Sequence, residues 1–451
     1  MGVRRRLLAL VAGVAVTAGA LAVAVAGEGT SFAAVACSGT VWTEGPTYTA
    51  GQQVTYSGHL YQALVTHTAY AGAGWNPAAT PSLWKDLGAC TGTPTTSPTT
   101  PPTTRPTTTP PTTPPTTRPT TTPPTTSPTT PPTGSTCAVK SRPAGKVLQG
   151  YWENWDGASN GVHPGLGWVP INDSRILQHG YNVIAAAFPV IRSDGTVLWE
   201  NGMDAGVKVS TPAEMCAAKA SGATIVMSIG GAAAGIDLSS SAVADRFVAT
   251  VVPILKQYNF DGIDIDIETG LTGSGSITTL STSQANLIRI IDGVLAQMPS
   301  NFGLTMAPET AYVTGGSVTY GSIWGSYLPI IKKYVDNGRL WWLNMQYYNG
   351  SMYGCSGDSY SAGTVQGFTV QTQCLNNGLT IQGTTIRVPY DKQVPGLPAQ
   401  SGAGGGYMTP SLVSQAYNSV SSIKGVMTWS INWDGSRGWT FGDNVKSLEG
   451  R

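Results

Sequence analysis

From Val147 onward the chain carries short apolar runs separated by about 30 to 50 residues of helix-like or loop-like sequence. Eight runs are legible: Val147 to Trp152, Val183 to Phe188, Thr224 to Ile229, Gly262 to Glu268, Leu304 to Glu309, Trp342 to Tyr348, Gln393 to Leu397 and Gly425 to Ile431. Continuous apolar runs of this length read as strands buried on both faces, and eight strand-plus-crossover units predict an α/β domain, a (β/α)8 TIM barrel, over residues 137–451. In such a barrel the functional side chains project from the C-terminal ends of the strands. Glu153, Asn154, Gly230, Gly231, Glu268, Glu309, Tyr348 and Trp429 fall there.

The pattern before residue 137 is different. Residues 91–136 are almost wholly Thr and Pro, which bury no core and run as extended polyproline-like chain. At about 3.1 Å per residue such a linker spans on the order of 140 Å. Residues 37–90 alternate turn signals (Gly45-Pro46, Ala50-Gly51, Ser57-Gly58) with runs such as Gln53 to Tyr56 and Leu60 to Val65, predicting a small antiparallel sheet. At the N-terminus, Arg4, Arg5 and Arg6 precede an apolar run from Leu7 to about Ala26 and a small-residue end at Ala34-Val35-Ala36. This order predicts an export signal over residues 1–36, cleaved after Ala36, and a secreted, extracellular protein.

Composition narrows the partners. Charged residues make up 11% of the chain and the formal net charge is +1, so no basic field for nucleic acid or anionic lipid exists, and a neutral partner fits better. Trp (13) and Tyr (18) outnumber Phe (7), favouring rings with a polar edge that sit at a wet surface. A monomer is expected, acting on nucleic acid and membrane in no way. Six cysteines without metal-ligand spacing read as disulfide-bonded in an oxidising compartment. Sequence leaves their connectivity open; the economical pairing is Cys37 with Cys90, Cys355 with Cys374 and Cys137 with Cys216. His59, His67, His163 and His179 form no paired metal spacing and read as surface or structural, and the Gly402 to Gly406 run, lacking a following Lys-Ser/Thr, reads as a loop. Neither metal nor cofactor is expected.

The strongest chemical signal is Asp261-Gly-Ile-Asp264-Ile-Asp266-Ile-Glu268, an alternation of acid and isoleucine with strand period. Asp264, Asp266 and Glu268 then share the face toward the barrel axis at steps of about 6.7 Å, while the isoleucines pack outward. Like charges this close disfavour joint ionisation, so at least one carboxyl keeps a proton at neutral pH, as a general acid requires. A calcium loop would need polar, turn-forming neighbours where isoleucines stand.

This octet resembles the DxxDxDxE signature of glycoside hydrolase family 18. Ser228-Ile-Gly230-Gly231, Met306-Ala-Pro-Glu309, Met345-Gln346-Tyr-Tyr348-Asn349 and Gly425-Val-Met-Thr-Trp429-Ser430 resemble the family's motifs on strands three, five, six and eight. The Gln-x-Tyr-Asn form looks like the plant-type and chitinase D-like branches. The resemblance implies retaining, substrate-assisted hydrolysis. Glu268 protonates the glycosidic oxygen while the sugar's own 2-acetamido carbonyl attacks the anomeric carbon, and Glu268 then activates water. Asp266 holds the acetamide N–H, Asp264 shares a proton with Asp266, Tyr348 donates to the acetamide oxygen, and Trp429 floors the pocket, with Gln346, Asn349, Glu309 and Gly231 as further substrate contacts. The order Trp42, Tyr48, Gly51, Val54, Tyr56, Gly58, Tyr61, Gly74-Trp75-Asn-Pro77, Leu83-Trp84 resembles a family 5/12 carbohydrate-binding module. Trp42, Tyr56 and Trp84 read mainly as core. Trp75, in a Gly/Pro-bounded loop, is the expected ring for stacking on sugar, with Tyr61 and Trp84 as further candidates.

Both units imply chitin and chito-oligosaccharides as partners and an endo-acting chitinase as the function. An endo-β-N-acetylglucosaminidase acting on glycoproteins and a non-catalytic chitin lectin are the alternatives; the module speaks against the first and the presence of Glu268 against the second. Only about 25 residues separate the seventh and eighth runs, too few for an inserted α+β unit, so an open cleft is expected.

Overall fold

In the computed structural model the described residues are 35–36, 39–43, 46–64, 67–69, 76–78 and 83–91, and then 135–451 except 158–162, 164–165 and 233–234. The expected export signal up to Ala34, nearly all of the Thr/Pro linker, Cys37 and Trp75 lie outside them.

All eight apolar runs contribute strands to one sheet: β1 (Val147–Glu153), β2 (Val183–Ala187), β3 (Thr224–Gly230), β4 (Gly262–Asp266), β5 (Gly303–Met306), β6 (Leu340–Leu343), β7 (Gly396–Pro398) and β8 (Gly425–Trp429). The order is β6-β5-β4-β3-β2-β1-β8-β7, and every pairing is parallel. Parallel bridges Leu343↔Gln393 and Gln346↔Gly396 join the two ends into a closed barrel. There Val394 N–H donates to Leu343 O and Tyr347 N–H to Gly396 O, both at 2.9 Å.

Local sequence sets the crossovers. Helix α1 (Ser174–Gln178) follows β1, α2 (Pro212–Ala220) follows β2, and α3 (Ser241–Gln257), α4 (Thr282–Gln297), α5 (Leu328–Asp336), α6 (Val365–Asn377) and α7 (Pro410–Ser419) follow β3 to β7 in turn, α6 preceding β7. Thr211 with Glu214 and Ser281 with Gln284 form reciprocal caps at the starts of α2 and α4. Ser240, Thr364 and Thr409 each accept a first-turn N–H of α3, α6 and α7. Residues after β8 form α8 (Ile431–Gly435) and α9 (Thr440–Leu448). Between β7 and β8 lie only a glycine-rich loop and α7, so no extra unit walls off the barrel mouth.

The period-two pattern divides the core into two layers. Ile263, Ile265 and Ile267 pack outward with Phe247, Val251, Ile290 and Ile291 of α3 and α4, while Tyr151, Val183, Ala185, Val226, Trp342 and Met427 fill the barrel. Asp261, the first acid of the octet, stands at the opposite end from the later ones. It accepts from Lys140 N–H (2.7 Å) and Ile225 N–H (2.9 Å) and pairs with Lys219 Nζ (2.7 Å), fastening the segment before β1 to the barrel floor. The Cys137–Cys216 disulfide ties the same segment to α2 across 79 residues, a loop whose closure is worth roughly 4–5 kcal/mol in a chain-entropy account. Cys355–Cys374 is the second expected pair, and Cys90 is also disulfide-bonded.

The N-terminal unit is a five-stranded sheet in the order Val35–Ala36, Trp84–Thr91, His59–Ala63, Gln53–Tyr56, Thr40–Val41. Its central pairings are antiparallel as expected, but the two outer strands pair in parallel. Val35–Ala36, the end of the expected export signal, supplies one of these edges. Trp84 (1% exposed) is core, its main expected role, and Tyr61 (7%) is corrected from a stacking ring to core: both are buried with Tyr48, Val54 and Ala63, so neither offers a ring face to a polymer. Without a core of their size a sheet this small would not hold together. Trp42 and Tyr56, expected as core, are half-buried and meet edge to face at 5.2 Å.

Candidate active site

The acids of β4 do not end where the strand ends. The hydrogen-bonded strand stops at Asp266; Glu268 lies two residues beyond, where Tyr312 Oη donates to its backbone carbonyl at 2.6 Å. The Tyr327 hydroxyl fixes the intervening peptide, donating to Ile267 O (2.9 Å) and accepting from Ile267 N–H (3.1 Å). Glu309, Tyr348 and Asn349 likewise follow β5 and β6, because the backbone leaves the sheet to build the barrel rim. The strand runs read from sequence are therefore too long at these ends.

Asp264 lies deepest. Its Oδ2 accepts from Tyr151 Oη (2.7 Å) and Ser228 Oγ (2.8 Å), and its Oδ1 from Thr305 Oγ1 (2.6 Å) and Asn344 Nδ2 (3.0 Å). Four donors thus fill the acceptor sites of this fully buried carboxyl group. Sharing a proton between Asp264 and Asp266 is thus not the arrangement present. Asp266 instead shares the Gln346 amide with Glu268. Burial, the charge of Glu268 and that of Asp264 together push the Asp266 carboxyl well above its ordinary value, favouring its protonated form. Burial also raises Glu268, against the pull of the Gln346 hydrogen bond. Gln346 Nε2 reaches Asp266 Oδ1 (2.9 Å), Glu268 Oε1 (3.0 Å) and Ala307 O (3.1 Å), making this amide the clamp on the pair.

The glycines of β3 make room for that clamp. Gly230 (φ +111°) approaches β4 so closely that a Cβ would stand 2.1 Å from Asp266 O, and Gly231 (φ +78°) donates its N–H to the same oxygen at 2.7 Å. A Cβ on Gly231 would meet the Phe188 ring at 2.7 Å.

Above the acids opens a cleft of about 250 Å³, whose lining includes Asp266, Glu268, Gln346, Tyr348, Gly231 and Trp429. Burial, then the charges of Asp266 and Glu268, hold the Tyr348 phenol far above its ordinary range, leaving it a hydroxyl donor. Trp429 stacks on Phe188 (5.9 Å between ring centres, 16° between planes), with Trp155 beside both. Trp155, Phe188, Ala232 and Trp429 also border an adjoining hollow of about 440 Å³, so one aromatic wall runs through both.

Two expected contacts change character. Asn349 lines the cleft, but its Oδ1 accepts from Gly405 N–H (2.7 Å) and its N–H donates to Gly405 O (2.9 Å), so it anchors the 402–406 loop. That loop lines the cleft through Gly402, Ala403 and Gly404. Glu309 is not among the cleft-lining residues; burial and the charge of Glu268 push its carboxyl up to about 8. Sequence reading did not single out Trp155, Phe188, Trp433, Thr305 or Asn344. Aromatic spacing after β1 and β2 was the available signal for the first two, whereas the donors to Asp264 become visible only through strand register, which sets Ser228 and Thr305 opposite it. Among the described residues no cluster of His, Cys, Asp and Glu could hold a metal ion.

Comparison with known proteins agrees with this geometry. The model of glycosyl hydrolases family 18 matches residues 147–361, and that of carbohydrate-binding module family 5/12 matches residues 41–85. Endochitinase 37 of Trichoderma harzianum is 83% identical over 311 residues, 69% of this chain and 92% of its own length. Chitinase Chi52 of Paenibacillus xylanexedens is 30% identical, covering 90% of this chain and 91% of its own. The crystal structure of a family GH18 chitinase from Chromobacterium violaceum superposes with a TM-score of 0.59 at 29% identity, over 92% of this chain and all of that one. With its octet running along and past β4, its paired glycines at the end of β3 and its Gln346 clamp in place, the chain belongs to glycosyl hydrolase family 18 and carries a family 5/12 carbohydrate-binding module.

Proposed function

We propose that this protein is a secreted chitinase that cuts β-1,4-linked N-acetylglucosamine polymers internally, with retention, by using the substrate's acetamido oxygen as the nucleophile. The observation that carries this reading is the Gln346 clamp. One amide nitrogen touches Asp266 and Glu268 together, so the pair leaves no room for the water-wide gap, roughly 6.5–9.5 Å, of an inverting carboxylate pair. Asp264, buried beneath four donors, is too well bonded to attack a sugar. The nucleophile then has to come from the substrate, and a 2-acetamido group on the sugar above Trp429 would have Tyr348 and Asp266 to orient it.

In this scheme the raised Glu268 donates its proton to the leaving oxygen. As Glu268 becomes charged it accepts from the Asp266 hydroxyl, while the other Asp266 oxygen can accept from the acetamide N–H and steady the positive charge that develops there. Glu268, now a base, takes a proton from the water that opens the oxazolinium ring. The open mouth and the aromatic wall running past Trp429 suit an extended polymer entered anywhere along its length. The endochitinase and chitinase relatives support the same substrate, and the disulfides support an oxidising, extracellular setting. The module would hold the enzyme on the insoluble polymer, raising its local concentration. Trp75 remains the proposed stacking ring.

The test compares fully acetylated with deacetylated soluble polymer, following viscosity and reducing ends together. Fast viscosity loss on the acetylated substrate alone is expected. Equal cleavage of the deacetylated polymer would remove the substrate-assisted mechanism, and disaccharide release without viscosity loss would remove the internal mode of attack.

A further inference from the structure

Behind the cleft floor lies a buried polar group that the chemistry above does not use. Glu153, at the end of β1, is 0% exposed and accepts from Ser430 Oγ at 2.5 Å through Oε1 and from His163 Nε2 at 2.6 Å through Oε2. Its backbone N–H donates to Asn432 Oδ1 at 3.0 Å. His163, Ser430 and Asn432 are each 0% exposed as well. A charge so placed is costly unless each lone pair finds a donor, so a carboxylate kept here marks a contact that matters for geometry.

The contact falls between the two cleft indoles. Ser430 directly follows Trp429, caps α8 and accepts from Trp433 N–H at 3.1 Å, and the His163 ring meets the Trp433 ring edge to face at 6.1 Å. Trp429 and Trp433 both line the cleft. We propose that Glu153, with His163 as its donor, is a positioning residue that fixes the Trp429–Trp433 turn, and through it the orientation of the rings on which the sugar stacks. The proposal rests on the reading of Trp429 as the sugar platform. Burial opposes a charge on His163, but the hydrogen bond and charge of Glu153 outweigh it and hold the imidazole above its ordinary value.

The inference assigns no proton transfer to either group. Its consequence is a defect in binding the sugar at the floor, with the acid machinery of Glu268 and Asp266 left in place. Loss of the Ser430 bond alone keeps the carboxylate paired with His163, so Ser430→Ala is the gentle perturbation. Glu153→Ala is the severe one, and His163→Gln retains a neutral N–H donor toward Glu153.

The experiment measures kcat and KM of the full chain on soluble N-acetylated hexamer for wild type, Ser430→Ala, Glu153→Ala and His163→Gln, together with thermal midpoints. Ser430→Ala is expected to raise KM roughly threefold to tenfold, the worth of one misplaced stacking contact, with kcat changed less. Glu153→Ala should go further, and His163→Gln should stay within about twofold of wild type because the donor is kept. A folded Ser430→Ala protein with a lowered midpoint but wild-type KM would overturn the proposal, as would a fall confined to kcat. Failure of the wild-type enzyme to cut the hexamer would instead count against the proposed function.

Discussion

Replacing Asp264 by Asn separates the role found here for this residue from a proton-sharing role. The four donors around it come from β1, β3, β5 and the segment after β6. An Asn can present an oxygen to only one donor pair; its amide then faces the other. With its oxygen toward Thr305 and Asn344, the donors can stay as they are on that side, leaving the Tyr151 and Ser228 hydroxyls to turn round and accept. Two charge-assisted bonds weaken to neutral ones and two are inverted. At about 1.5–3 kcal/mol for a bond to a charged group against about 1 for a neutral one, the net loss is about 3 kcal/mol. For a domain of this size that lowers the melting midpoint by roughly 4–5 °C. Asp266→Asn is the control. Burial and the charges of Glu268 and Asp264 favour the protonated form of Asp266, with which the amide is nearly isosteric and isoelectric, so the midpoint should move by less than about 1 °C. Both variants lose activity, so activity cannot discriminate; thermal unfolding at pH 6 followed by tryptophan fluorescence can. Equal midpoints for Asp264→Asn and wild type, or an equal drop in both variants, would refute the reasoning.

Other consequences follow from the same geometry. Glu309 is raised from an ordinary 4.5 to about 8 in the folded protein, so between those values the unfolded chain has lost a proton that the folded one keeps, and stability falls as pH rises. Glu309→Gln should therefore be more stable than wild type at pH 8 and converge with it near pH 4, read by urea unfolding at several pH values. Gln346→Ala removes the N–H that holds the carboxyls of Asp266 and Glu268 down, so the alkaline limb of its residual kcat/KM should move to higher pH; a limb moved downward would contradict the clamp. Gly230→Ala must displace the backbone of β4 at Asp266, and a loss of more than about tenfold in kcat/KM is expected from so small a substitution.

Much of this was legible in the sequence, for physical reasons that differ by region. The octet could be read because period two places Asp264, Asp266 and Glu268 on one face and disfavours a helix, and the eight apolar runs because strands covered on both sides are predominantly apolar. The strand ends were misplaced because apolar composition continues past the last ladder bond into the rim, as at Ile267 and Tyr347. The partner of Asp264 was misjudged for a related reason: Tyr151, Thr305 and Asn344 lie far apart in the chain, and only the parallel register brings them to one carboxylate. In the module, alternation identifies which aromatics share a face but not which face is covered, and so Tyr61 and Trp84 were offered as stacking rings while the sheet buries them. The buried Glu153–His163 pair left no trace in spacing at all, since a loop histidine ten residues from its partner looks like any surface histidine.

The central claim is that the sugar supplies its own nucleophile while Glu268 supplies the proton. Time-resolved proton NMR of the first products from fully N-acetylated hexamer tests it most directly. Initial appearance of the β-anomer, with mutarotation to α following and no products from Glu268→Gln, is the predicted result; initial appearance of the α-anomer would contradict the account.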